Sequence, residues 1–582
     1  MRKEKSLYLL TQLKHKILML KNYILFLILC PFIAIAQISI TATESVDLSI
    51  YDNTASTLGQ GEYEIFLGND NILNKPIIFV DGFDPGDTRD ITAIYNSLQF
   101  TGAGGTQNLA DLVRAEGFDL IILNFPTYVN GDGATIDGGA DFIERNAMVL
   151  VELINTINTD KAANSPEQNV IIGPSMGGII SRYALNFMES NAITDDTRLF
   201  ISFDSPHLGA NIPIGLQHQL NYLAFNGLNP VAEIQPIIND LLNSPAARQL
   251  LTDHFVPHLQ SGSDVEFDPS ITLPTPHPYR TSFQNRITSF TADGFPTNVR
   301  NVAIVNGSGI GSPYFAIGNS GTTVSPGFIV MDATFLVPAP PFGNVVIDID
   351  INFTPELNTT DVVSNVIIDP PIIPPTTSTA QSQAFEFVSG IDAAPGGLFD
   401  LSALTGAVGG GDPLATDFLN ALQIDKFNFI PTVSALSLVI TDDTPVDWYH
   451  DIDLSSSRAT TNDTPFDNTF IPDNNEQHVQ LTEANVTFAL NEILNPILSN
   501  GNYLSIDVRL ERNPIQSELV ILSNNNSNAK ISISDLTGKT VFDKHIRLSN
   551  RSVIPVNLNS GFYILNVKNE ENIDFTTKLI IN

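Results

Sequence analysis

Asn169-Val-Ile-Ile-Gly-Pro-Ser-Met-Gly-Gly-Ile-Ile-Ser-Arg-Tyr-Ala-Leu-Asn-Phe-Met188 is the most informative stretch of this chain. A short β-branched apolar run leads into G-x-S-x-G centred on Ser175, and Ile180, Ala184 and Phe187 then follow at helical spacing. Strand, tight turn and helix in that order make a nucleophile elbow. The bend lifts the Ser175 hydroxyl clear of the sheet, while Gly173 and Gly177 leave room for strained backbone and close helix–strand approach. The oxygen also sits at a helix N-terminus, where free N–H groups favour developing negative charge. A serine so placed points to hydrolysis through an acyl-enzyme.

Outward from this motif, the pattern from Lys75 to Gly309 alternates strand, loop and helix, as a doubly wound or hydrolase-type parallel sheet requires. Ile77–Val80, Leu120–Leu123, Val170–Ile172, Leu199–Phe203 and Val302–Val305 are short apolar runs suited to a sheet covered on both faces. Ile143, Ala147, Leu150, Ile154 and Ile157 form one helical stripe between the second and third. Residues 37–309 are therefore expected to be the first part of an α/β domain of that kind, with residues 210–295 as a helical lid. Within the lid, Ser244-Pro245 is an N-cap followed by proline at the first helical position.

Residues 310–414 are rich in Pro, Gly and Thr and contain the alternating run Ile347–Phe353, which predicts a β-rich insertion with Pro370–Pro375 as a stiff connector. Residues 415–505 are expected to complete the hydrolase domain. There the sheet pattern resumes near Phe427–Ile440, and a helix with Val486, Ala489, Leu490, Ile493 and Leu494 on one face ends at Pro496. Residues 512–582 change texture to short alternating strands with turns at Thr537-Gly538 and Asn559-Ser560, which predicts a small all-β sandwich.

The chain has 582 residues, with 28 Lys and Arg against 63 Asp and Glu. Residues 1–36 hold six of those bases and one acid, so the remainder stands at −40. Such a surface excludes nucleic acid and anionic membranes as favoured partners. The same 36 residues read as a secretory signal: Lys14, Lys16 and Lys21 precede the apolar run Tyr23–Ile35, and Ala34-Ile-Ala36 supplies a cleavage site before Gln37. No transmembrane segment is expected after cleavage. The single cysteine, Cys30, lies inside the leader, so the exported chain has neither disulfides nor thiol chemistry.

Serine needs a base to take its proton, and the base needs an acid to hold its tautomer. Of nine histidines, His15 is lost with the leader and His545 lies in the appended domain. His478, in Asn474-Asn-Glu-Gln-His-Val-Gln-Leu-Thr482, directly precedes the terminal amphipathic helix and is the expected base; His450 and His207 are the fallbacks. The acid's usual loop, Asn306–Ser312, holds no carboxylate. Asp204, at the end of the preceding strand, is the first choice and Asp467, near His478 in sequence, the alternative. Oxyanion donors are expected from the N–H groups of Met176 and of Phe83, in the turn Val80-Asp-Gly-Phe-Asp-Pro85. No H-E-x-x-H or EF-hand pattern occurs, and no metal site is expected.

With Ser175, the Phe83 turn, Ser205-Pro-His-Leu-Gly209 and His478 in this order, residues 75–309 and 425–498 resemble the α/β-hydrolase superfamily, specifically its lipase-like esterases. The resemblance implies Ser175 as nucleophile, His478 as base, Asp204 as acid, and Phe83 and Met176 as oxyanion donors. It also implies an ester or acyl-lipid substrate and no organic cofactor. Asp81 in the oxyanion turn, the missing acid in its usual loop and the long insertion depart from the family pattern. The tail is similar to the C-terminal sorting domain of the type IX secretion system of Bacteroidota, through Asn513-Pro514, Ile531–Val541, Leu558–Leu565 and Lys578–Ile581. That likeness implies the type IX machinery as partner and a secreted or cell-surface destination. The competing class is a non-catalytic surface binding or adhesion protein on an inactive hydrolase scaffold.

Overall fold

The computed structural model describes residues 37–227, 230–402, 413–438, 446–452, 464–495, 508–523, 528–535, 538–569 and 574–581. The expected leader at 1–36, with His15 and Cys30, lies outside the described residues, as do Thr537 and Pro496. The chain falls into two compact units, Met1–Asn495 and Pro496–Asn582.

In the first unit seven strands of the main sheet come before the long insertion: β1 (Ile38–Thr41), β2 (Gln60–Phe66), β3 (Pro76–Val80), β4 (Asp119–Asn124), β5 (Asn169–Pro174), β6 (Thr197–Phe203) and β7 (Arg300–Ile304). A separate four-stranded antiparallel sheet follows: β8 (Ile329–Pro338), β9 (Asn344–Asn352), β10 (Thr360–Asp369) and β11 (Thr376–Gln383). A two-stranded ribbon, β12 (Gly396–Asp400) and β13 (Lys426–Pro431), comes next, and β14 (Asn468–Phe470) then returns to the first sheet. Across that eight-stranded sheet the order is β1-β2-β4-β3-β5-β6-β7-β14. Neighbours are parallel from β4 to β14, and β1 and β2 add an antiparallel edge.

The helices that matter for the site are α1 (Ile143–Lys161), α2 (Met176–Ser190), α3 (Ile214–Phe225), α4 (Pro245–Leu250), α5 (Pro278–Thr288), α6 (Pro413–Ala421) and α7 (Glu483–Leu494). Successive strand residues point to opposite faces, so each strand feeds two cores. Ile78, Ile121 and Ile171 pack with Ile154 of α1 and Ile180 of α2. Their neighbours Ile77, Leu120 and Val170 pack on the other face with Val486 and Ile493 of α7. Both faces are thus covered by helices, which is why the strands read as unbroken apolar runs. This is the α/β-hydrolase fold. Among the described residues no helix is long and apolar enough to cross a membrane.

One expectation needs correction. The run starting at Phe427 does not resume the main sheet as its pattern predicts: β13 pairs antiparallel with β12, and the main sheet is completed by β14. An apolar run records burial, and it cannot say which partner buries it. Residues 439–440 of that run lie outside the described residues.

The second unit is built of antiparallel sheets. One joins Val508–Leu510, Glu518–Ser523 and Arg551–Pro555; the other joins Thr540–Arg547, Asn528–Asp535, Gly561–Asn569 and Asp574–Ile581. Alternate residues of both, including Leu519, Ile521, Ile531, Ile533 and Leu565, share one apolar core.

Candidate active site

The strand order reverses around β3, with β4 on one side and β5 on the other. In open parallel sheets the crevice at the carboxyl ends of strands beside such a reversal is where ligands bind. Asp81–Phe83, Ser175 and Asp204 all stand at those ends, directly after β3, β5 and β6.

Ser175 links β5 to α2 with φ 51° and ψ −128°, a conformation that costs a non-glycine residue about 1–3 kcal/mol. The surroundings hold it there. Its N–H donates to the Phe203 carbonyl at 2.9 Å, and its own carbonyl accepts from Gly178 N–H at 3.1 Å. At Gly177 a Cβ would collide with the Val80 carbonyl, so only glycine lets α2 start this close to β3. Behind the elbow, Ser205 Oγ fills the space that a side chain at Gly178 would need.

His478 Nε2 lies 2.8 Å from Ser175 Oγ, and its Nδ1 lies 2.7 Å from Asp204 Oδ2. Asp204, also at positive φ (48°), is fully buried, and its second oxygen accepts the Asn306 N–H at 3.1 Å. The loop that lacks a carboxylate therefore still serves this acid, with a backbone amide. The alternative acid, Asp467, stands elsewhere: its carboxylate accepts the Asn301 N–H at 2.9 Å, at the opposite end of β7. The fallback His207 is buried with its Nε2 2.7 Å from Ser202 Oγ, and burial holds it well below the usual histidine range. His450 lies on the 446–452 segment, where its N–H donates to the Asp447 carbonyl at 3.4 Å.

The His478 loop is fastened from outside the main sheet. His478 N–H donates to the Leu398 carbonyl at 2.8 Å, and Leu398 N–H donates to the Glu476 carbonyl at 3.0 Å. Leu398 belongs to β12, so the ribbon clamps the imidazole loop through its main chain. Asn306 Nδ2 adds bonds to Glu476 Oε2 at 2.8 Å and the Gln480 carbonyl at 3.0 Å. Burial, with Asp204's negative charge nearby, raises the Glu476 carboxyl above its ordinary range. Gly397 packs against the Asp204 carboxylate so closely that a Cβ there would overlap Oδ2. The Phe429 ring of β13 meets His478 edge to face at 5.0 Å. Just beyond, Thr482 and Asn485 form a reciprocal capping box that starts α7, which contributes about 1 kcal/mol to fixing the loop's exit.

Phe83 and Met176 flank the serine, and among the described residues neither N–H is used in a hydrogen bond. A Cβ at Gly82 would lie 3.3 Å from Ser175 Cβ and 3.8 Å from Met176 N, so the turn after β3 lies against the elbow. Asp81 is buried in this turn, and desolvation raises its carboxyl to about 6 despite the Arg89 cation 3.3 Å away. Arg89 also donates to the Phe83 carbonyl at 3.0 Å, and its N–H donates to Asp84 at 2.9 Å. Asp81 thus stays in the turn with its charge offset.

A cavity of about 290 Å³ opens at Ser175 and His478, walled by Phe79, Ile94, Leu98 and Ile201. Arg89 and Asp81 are the charged groups at its edge. Among the described residues no cluster of His, Cys, Asp or Glu could hold a metal ion. Leu398, Asn306, Gly397 and Phe429 were not anticipated from the sequence. The first acts through its main chain and leaves no side-chain signal, and the others are ordinary residues in loop or strand contexts.

Residues 74–233 match the PGAP1-like alpha/beta domain, and residues 513–582 match the secretion system C-terminal sorting domain. A search of curated proteins finds no significant match. Among solved structures the chain is similar to XC6422 of Xanthomonas campestris, described as an a/b serine hydrolase without lid. That match has 12% identity, covers 30% of this chain and 65% of that one, just under two thirds of its length, and has a TM-score of 0.19. Est1E of Butyrivibrio proteoclasticus matches at 10% identity over 42% of this chain and 73% of that one, with a TM-score of 0.21. The peroxisomal alpha-beta-hydrolase Lpx1 of Saccharomyces cerevisiae matches at 12% identity over 46% and 73%, with a TM-score of 0.26. The chain thus carries a PGAP1-like alpha/beta domain with the α/β-hydrolase fold and, at its far end, a type IX secretion sorting domain.

Proposed function

We propose that the protein is a secreted serine hydrolase that cleaves carboxylic esters, lipase- or esterase-like, through an acyl-enzyme on Ser175. The observation that carries this reading is the unbroken chain of contacts from Ser175 Oγ through His478 to Asp204, at 2.8 and 2.7 Å. With its proton on Nδ1 held by Asp204, the imidazole presents a free Nε2 lone pair to the hydroxyl. Ser175 Oγ attacks the ester carbonyl while Nε2 takes its proton, and Asp204 offsets the positive charge that forms on the ring. The carbonyl oxygen, now an anion, faces the Phe83 and Met176 N–H groups, each worth roughly 10²–10³ in rate when such donors are well aimed. Collapse returns the proton from Nε2 to the departing alcohol. Water, deprotonated by the same nitrogen, then adds to the acyl carbon, and Ser175 leaves with its proton as the acid is freed.

The largely apolar cavity at Ser175 favours an apolar acyl group over a charged one. The sorting domain indicates export through type IX secretion to the cell surface or beyond, and the leader read at 1–36 would begin that route. A fluorophosphonate probe tests the proposal. It is expected to label the purified protein and to leave Ser175→Ala unlabelled; failure to label well-folded wild type would remove the enzyme reading.

A further inference from the structure

The inserted sheet has two hairpin turns at one end, 339–343 between β8 and β9 and 370–375 between β10 and β11. Their sequences, Pro338-Ala-Pro-Pro-Phe-Gly343 and Pro370-Pro-Ile-Ile-Pro-Pro375, contain no charged residue. At these tips Phe342 is 61% exposed, Ile372 65% and Ile373 51%. Prolines on both sides leave the loops little freedom to fold these side chains back. Large apolar side chains concentrated on stiff, uncharged projections mark a surface that something apolar covers.

What lies behind the tips says what that something is. Between Ile373 of the second tip, Val337 of β8 and Leu223 near the end of α3 is a cavity of about 330 Å³, with Asn226 also on its wall. Leu223, Val231 and Ile347 also bound the next void, a constriction of about 20 Å³. Ile234 and Phe418 carry that constriction into an apolar chamber of about 340 Å³ beneath α6. Phe83, Phe399 and Phe429 form the partition between this chamber and the cavity at Ser175. Voids that share lining residues therefore stand in series between the exposed tips and the candidate nucleophile, interrupted by the narrow void at Phe335 and Ile347 and by the phenylalanine partition. Apolar voids set in series behind apolar tips suit a hydrocarbon chain.

We propose that the two proline-flanked tips dock into an uncharged or zwitterionic lipid surface, and that the voids behind them, once side chains at the constriction and the partition move aside, lead an acyl chain from that surface to Ser175. The acidic balance of the chain, −35, together with tips that lack Lys and Arg, selects against anionic lipid. Docking rests on the exposed tips and the apolar voids behind them, whereas delivery of the chain rests also on the reading of Ser175 as nucleophile.

The test uses the full chain carrying Ser175→Ala, sedimented with phosphatidylcholine vesicles and with vesicles containing phosphatidylglycerol. It is expected to bind phosphatidylcholine, and Phe342→Ser with Ile372→Ser is expected to weaken that binding by about tenfold or more. The same pair of changes on the Ser175 background should leave hydrolysis of soluble p-nitrophenyl acetate unchanged. If the pair lowers the melting temperature, Ile372→Glu alone is expected to give the same loss. Docking is overturned by absence of binding, by equal binding of the variants, by binding only to anionic vesicles, or if the pair merely converts a dimer to a monomer. Vesicle binding without any hydrolysis of the soluble ester leaves docking intact and removes the nucleophile reading instead.

Discussion

The two sides of the candidate site are held in different ways. Ser175 is fixed mainly by its own neighbourhood, one strand and one helix that run from Asn169 to Ser190, with the adjoining strand's Phe203 carbonyl accepting its N–H. His478 is fixed by segments far apart in sequence, the main chain of Leu398, the side chain of Asn306 and the buried Asp204. A nucleophile on a strained turn needs a rigid local frame. An imidazole that must reach it from a loop needs distant supports, each of which fixes one degree of freedom.

The sharpest way to break this comparison is to remove the charge that aligns the imidazole. Asp204→Asn is expected to lower kcat by about 10⁴-fold with the fold intact, whereas Asp467→Asn should leave kcat within a few-fold and cost stability of about 1 kcal/mol through its lost backbone bond. Steady-state kinetics and thermal melts on both variants check the pair. Equal losses of activity would mean that the acid had been assigned to the wrong residue.

A milder probe acts on the support and leaves the triad chemistry untouched. Gly397→Ala inserts a methyl group where the Asp204 carboxylate now lies. It is expected to reduce kcat by about 10- to 100-fold, with KM little changed, because a displacement of about 1 Å at a reacting group is enough for that loss. A drop in KM-controlled binding alone would place Gly397 in the substrate pocket and outside the alignment machinery.

The smallest effect separates the turn after β3 from both sides. Asp81 is held near 6 in the folded protein against an ordinary 3.8, so the folded state keeps a proton that the unfolded chain has released across that interval. Its contribution to stability is full below about pH 4 and lost as pH rises through 6. The stability of Asp81→Asn relative to wild type is therefore expected to improve by about 1–3 kcal/mol between pH 4 and 7, read from denaturant melts at the two pH values.

The contrast also explains what could be read in the chain. The five buried strands around the elbow were legible because a run of β-branched residues flanked by glycine and polar loops has one good physical solution. Ser175 was legible for the same reason, and His478 by its position before a helix whose apolar stripe is plain. β14 was not, since three residues with the sequence Asn-Thr-Phe carry too little pattern to announce a strand. Nor was β12 as a clamp, because backbone hydrogen bonds are available to every residue and leave no mark on side-chain choice. Asp204 sat between these cases: its place after β6 made it a candidate, but only the tertiary fold brings it to the imidazole.

The clamp has a temporal consequence for a chain that must be exported. Leu398 is reached only after the entire excursion from β7 has folded back onto the sheet, so a molecule that has built its elbow but not yet closed that excursion has a serine without a partner. The candidate site is therefore complete only once that excursion is in place.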